Sequence, residues 1–90
     1  MSGELARHRA MMCESWRWPH FPFLPLVRGG AYEIDLGVLA DPKQFGLGPR
    51  PSVFRANLLL LPRTRWALLK LRREEFESID AILAAGWRVD

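Results

Sequence analysis

The chain has 90 residues, 49% of them hydrophobic and 26% charged, with 11 Arg and 2 Lys against 10 Asp and Glu giving a formal charge of +3. That composition predicts one small globular domain over 1–90 with a modest core, and it excludes wholesale disorder. A single cysteine, Cys13, excludes an internal disulfide and any zinc or iron–sulfur site needing two thiolates, and no apolar run approaches the roughly 20 residues that span a bilayer. Arg7 and Arg9 near the start are not followed by the apolar stretch of a signal peptide, so a soluble, cytoplasmic chain is expected.

Residues 2–15 read as a helix. Ser2 is an N-cap candidate, Glu4 complements the helix dipole, and Leu5, His8, Met12 and Trp16 recur on one face. Residues 16–28 follow, with Pro19, Pro22 and Pro25 at a spacing of three. This spacing matches polyproline II and predicts an extended strap. Trp18, Phe21 and Leu24 share one of its edges, and the reading places them against Tyr32, Ile34 and Leu36. The strap can also be read as a ligand for an aromatic groove or as a membrane-surface tract.

Gly29-Gly30 signals a turn. Residues 31–39 then alternate, with Tyr32, Ile34, Leu36 and Val38 predicted inward and Glu33, Asp35 and Gly37 outward. Residues 41–51, rich in Pro and Gly, read as a loop, and 52–61 as a second strand that becomes central near Leu59 and Leu61. Arg55 would then face Glu33 or Asp35 across an antiparallel pair. Thr64 caps a short helix through Trp66, Leu68 and Leu69. Ser78 caps another through Ile79, Ile82 and Leu83, which ends at Gly86. Two helical pieces joined by an extended 73–77 are favoured over one long helix, because a cap residue is unfavourable in mid-helix. Trp87-Arg88-Val89 reads as a last strand with Trp87 and Val89 inward. The fold class expected is α+β: a small, mainly antiparallel sheet of two to four strands with two or three short helices packed on one face.

Charge is unevenly distributed. Between 42 and 73 lie Lys43, Arg50, Arg55, Arg63, Arg65, Lys70, Arg72 and Arg73 without one acid, whereas Glu74, Glu75, Glu77, Asp80 and Asp90 outweigh Arg88 over residues 74–90. Phosphate or an acidic protein face would be drawn to the basic window, with Phe54 and Trp66 as candidate stacking groups. The alternative is that the acidic tail folds back and pairs with the window.

Two segments carry a resemblance. Trp18-Pro19-His20-Phe21-Pro22-Phe23-Leu24-Pro25-Leu26-Val27-Arg28 and the closing Gly86-Trp87-Arg88-Val89-Asp90 resemble small uncharacterised proteins of phages and bacterial mobile elements. The resemblance covers about a fifth of the chain. It implies an accessory or host-interaction role and brings no site residues with it.

Catalytic chemistry is thinly represented. Cys13 and His20 are the one conceivable nucleophile–base pair, on different predicted elements. His8, Cys13 and His20 lack metal-ligand spacing, and His8 is expected to touch the strap. Glu74 and Glu75 are adjacent and splay apart, and Gly46-x-Gly48-Pro lacks the Lys-Ser/Thr of a phosphate loop. No cofactor or metal is expected. The function expected is a non-enzymatic interaction protein with a protein partner, nucleic acid being the alternative and a small enzyme the second alternative. The basic window and Trp66 are the candidate contact residues.

Overall fold

The computed structural model describes residues 3–30, 32–41, 43, 50–62 and 64–90. Helix α1 runs over Gly3–Cys13 and a 3-10 turn over Ser15–Arg17. Then come strands β1 (Phe23–Gly29), β2 (Ile34–Ala40) and β3 (Ser52–Phe54), followed by a 3-10 turn at Leu58–Leu60. Helix α2 (Arg65–Leu69), strand β4 (Arg73–Glu75), helix α3 (Ile79–Ala84) and strand β5 (Arg88–Val89) complete the described elements. The strands form one antiparallel sheet in the order β4-β3-β2-β1-β5. The sheet has five strands where two to four were expected, because the proline strap is itself a strand beside the centre of the sheet.

Proline is rare inside a sheet because it cannot donate to a ladder. Pro25 is tolerated because both polar atoms of a strand residue's backbone point to the same side. The Pro25 carbonyl accepts from the Asp90 N–H, so the missing donor faces β5, and the ladder to β2 loses nothing. The reading of residues 16–28 as a polyproline strap therefore gives way over Phe23–Gly29. Trp18 and Leu24 are buried as expected, whereas Phe21 is exposed. The Trp18 indole N–H donates at 2.6 Å to the Met11 carbonyl, one of the last in α1, which also accepts the Glu14 N–H at 3.3 Å.

Directly paired residues share a face, and the register separates the two sides of the sheet. One side carries Leu24, Leu26, Gly37, Leu39 and Val53 and packs with Met12, Trp18, Ile82, Leu83 and Trp87. The other carries Ala40 and Phe54 under Leu68 of α2, with Phe23, Leu61 and Leu71 around them. The helices thus divide between two faces, contrary to the one-face expectation. Phe54 is fully buried and is not a stacking group.

The alternation in β2 points the opposite way from the hydropathy pattern. The side carrying Asp35, Gly37 and Leu39 meets the main core, whereas Tyr32, Ile34 and Leu36 are largely exposed. Gly37 is the reason. A Cβ there would lie 2.8 Å from Val53 and 2.9 Å from the Trp87 ring, so only glycine lets the indole lie on the sheet. Gly86, with φ at 95°, turns the chain out of α3 and delivers Trp87 to that place.

Residues 52–61 are not one strand. Past Phe54 the Asn57 side chain accepts from the Leu59 N–H and starts the 3-10 turn, a local bond that competes with the ladder. The caps at Thr64 and Ser78 form as expected, each hydroxyl accepting the N–H three residues on at 3.2 Å, and β4 separates the two helices. Ser2 and most of the 41–51 loop lie outside the described residues.

Urea melts check this packing. Trp18→Ala should cost about 3–5 kcal/mol and Gly37→Ala about 1–3 kcal/mol, through a cavity and an overpacked contact respectively. Trp16→Ala, at an exposed position, should stay within about 0.5 kcal/mol of wild type. A Gly37→Ala variant as stable as wild type would show that the indole does not rest on that glycine.

Candidate interaction surface

Three groups of side chains are assembled by this fold. The first is charged. Arg28 Nη2 lies 3.1 Å from Asp35 Oδ2 and 3.9 Å from Glu74 Oε1, while Arg55 lies 3.2 Å from Asp35 and 3.1 Å from Glu74. All four side chains are half-buried, and the guanidiniums of Arg28 and Arg55 sit 4.4 Å and 5.8 Å from the Trp87 ring centroid. Two cations and two anions close on each other, so the cluster is neutral and ties β1, β2 and β4 together over the indole. Arg55 meets Asp35, one of the two acids expected, but from beyond the end of β3 and over the buried Trp87, not across a strand pair on an outward face.

Other acids pair with bases as well. Arg73 reaches Glu75 at 3.6 Å, and Arg9 bonds Asp80 at 2.8 Å, linking α1 to α3. The hydrogen bond and charge of Asp80 raise the Arg9 pKa further above its ordinary value. Of the basic window, Arg55 and Arg73 are therefore engaged. Lys43, Arg50 and Arg72 are exposed and make no ion pair among the described residues. Lys70 sits over the Trp66 ring, its Nζ 4.2 Å from the centroid. Arg63 and the Arg65 side chain lie outside the described residues.

The second group lines a hollow of about 470 Å³ between the end of α1, the end of β2 and the start of α3. Met12, Cys13, Trp16, Trp18, Leu39, Asp41 and Ile79 contribute to it. Cys13 is exposed there, but His20 does not line the hollow, so the fold does not bring the pair together at this site. His8 has a structural partner. Its Nδ1 accepts the Val89 N–H at 3.0 Å, which engages β5 rather than the strap. Among the described residues, no cluster of three or more His, Cys, Asp or Glu could hold a metal.

The third group is apolar and open to solvent. Tyr32 is 100% exposed, Ile34 65%, Leu59 89%, Leu60 79% and Trp66 72%. Beside Leu36 and Leu59 a groove of about 250 Å³ opens over β1 and β2, lined also by Pro25, Leu58 and Asp90. Sequence reasoning missed Ile34, Leu36 and Leu59 because alternation shows that a face is apolar, not whether an element covers it. Only Trp66 was singled out for contact. No protein-family model matches the chain, and neither does any curated protein or solved structure. No helix among the described residues is long and apolar enough to cross a membrane.

A double-mutant cycle tests the charged cluster. Arg55→Ala and Glu74→Ala should show a coupling of about 0.5–1 kcal/mol, the upper part of the range for partly exposed pairs. The coupling should shrink in high salt. Strictly additive effects would mean that the two side chains do not hold β3 and β4 together.

Proposed function

We propose that this chain is a non-enzymatic interaction protein that binds another protein through the open side of the sheet, as an accessory or host-interaction factor of the cytoplasm. The observation that carries the reading is the exposed Leu36 and Leu59 lining a groove, with the exposed Ile34 two residues before Leu36 on the same face of β2. Contiguous exposed apolar side chains are costly in a monomer and mark surfaces that another molecule covers. The groove supplies a recess for one anchoring side chain, and Asp90 at its edge supplies a polar rim.

Nucleic acid is the second reading. It is favoured by the exposed Lys43, Arg50 and Arg72 and by the exposed ring of Trp66. It ranks lower because Arg55 and Arg73, two of the window's cations, are held by Asp35, Glu74 and Glu75. Phosphate recognition also has no need of the apolar row.

The test is capture from the native host with and without nuclease, using variants. Wild type should retain a protein partner after nuclease treatment. Ile34→Lys with Leu59→Lys should lose it while melting within about 1 kcal/mol of wild type, because both positions are exposed. Lys43→Ala with Arg50→Ala should keep it. Mixed DNA and RNA should not bind below about 100 μM at low salt, where a non-specific binder would already be engaged. Capture that vanishes with nuclease and with the Lys43/Arg50 variant would install the nucleic-acid reading instead.

A further inference from the structure

Between β3 and β4, the described residues 57–62 and 64–72 carry inward anchors and exposed side chains interleaved along the sequence. Leu61, Leu68 and Leu71 turn inward onto Phe54 and Ala40. Leu60, Trp66 and Leu69 are exposed. Helical geometry accounts for Trp66, which is two residues from the buried Leu68 and so lies on the opposite side of α2. Lys70 is one turn beyond Trp66 on that outer side, with its ammonium on the indole face.

We propose that the exposed side chains of this stretch, Leu60, Trp66, Lys70 and Arg72, dock on the surface of an anionic bilayer. Leu60 and Trp66 would enter the boundary between headgroups and acyl chains, and Lys70 and Arg72 would lie at the phosphates. The chemistry is that of an interfacial element: protruding apolar tips, an indole with its amphipathic ring, and a long basic side chain whose stem follows the apolar surface while its head stays wet. Charge complementarity selects the occupant. No acid occurs between Asp41 and Glu74 in the sequence. The acids that follow, Glu74 and Glu75, are occupied by Arg55 and Arg73. A second copy of the chain would bring like charges together, whereas an anionic leaflet attracts each exposed cation. A protein partner would be met by the groove, which lies over β1 and β2 beside Leu36 and Leu59. The proposal does not depend on that partner.

Flotation of the full chain with vesicles tests it, comparing phosphatidylcholine alone with mixtures containing phosphatidylserine. Wild type should float only with the anionic vesicles, and added salt should release it. In a Trp16→Phe background, which removes the other exposed indole, lipids brominated along the acyl chain should quench Trp66. Leu60→Ser with Trp66→Ser should abolish flotation without lowering the melting point. Lys70→Glu and Arg72→Glu should each weaken it at least about five-fold, the factor that corresponds to roughly 1 kcal/mol per basic residue near the surface. These charge reversals decide the matter even if the apolar variant fails to fold. Absence of flotation, equal flotation with neutral vesicles, or unchanged flotation in the Lys70 and Arg72 variants would each overturn the proposal. So would light scattering that shows a dimer in which Trp66 is shielded from quencher.

Discussion

The Trp87 indole lying on Gly37 is the contact on which the remaining architecture depends. The ring is fully buried and touches the sheet where a methyl group could not fit, with Val53 on one side and two guanidiniums above it. It reaches that place because Gly86 leaves α3 with a positive φ, which a residue with a side chain rarely adopts. Arg88 then bonds back to the Leu83 and Trp87 carbonyls, supplying a cation to the C-terminal end of α3. One aromatic side chain therefore joins α3 and β5 to the middle of the sheet. Its indole N–H has no hydrogen-bond partner among the described residues. The position is held by shape and by the cations over the ring rather than by a hydrogen bond at Nε1.

This choice of buried side has a consequence on the reverse of the sheet. Once the face bearing Asp35, Gly37 and Leu39 is committed to the core, Ile34 and Leu36 must point the other way. Helix α2 has five residues and covers only the Val38–Ala40 end of that face. An apolar pattern of the kind that normally fills a core is left at the surface, beside a groove and the protruding Leu59. Among the described residues, this exposed apolar surface is what the helices leave uncovered on the second side of the sheet.

The charges follow the same logic. Arg28 and Arg55 are placed over Trp87 by the strand register, and the same register brings Asp35 and Glu74 within reach of them. Of the acidic tail, Glu74 pairs with Arg55 of the basic window, and Glu75 pairs with Arg73 two residues before it in β4. The exposed remainder of the described window, Lys43, Arg50, Lys70 and Arg72, includes cations beside apolar tips, a combination suited to surfaces that are both anionic and greasy. Sheet edges are protected too: His8 takes up the Val89 N–H on β5, and charged Arg73 and Glu75 flank β4.

Local signals determined much of the chain by themselves. The Thr64 and Ser78 caps, the glycine after α3 and the separation of α2 from α3 all depend on interactions within a few residues, and all were legible in the sequence. The contact of Arg55 with β2 was legible as a choice between Glu33 and Asp35, but its place over Trp87 beyond the end of β3 was not. The tertiary structure alone decided which face of β2 is buried, since period-two hydropathy cannot reveal that a glycine on the polar side will receive an indole from fifty residues away. It also decided that a proline-spaced strap pairs as a strand, because the direction of the missing N–H depends on which neighbour lies on which side. Nor could residues 52–61 show in advance that the Asn57 side chain would start a turn past the end of β3, taking Leu58, Leu59 and Leu60 out of an expected core strand and leaving Leu59 and Leu60 in solvent. The candidate site was thus unreadable for a physical reason: exposure belongs to the elements that fail to cover a side chain, and not to the side chain itself.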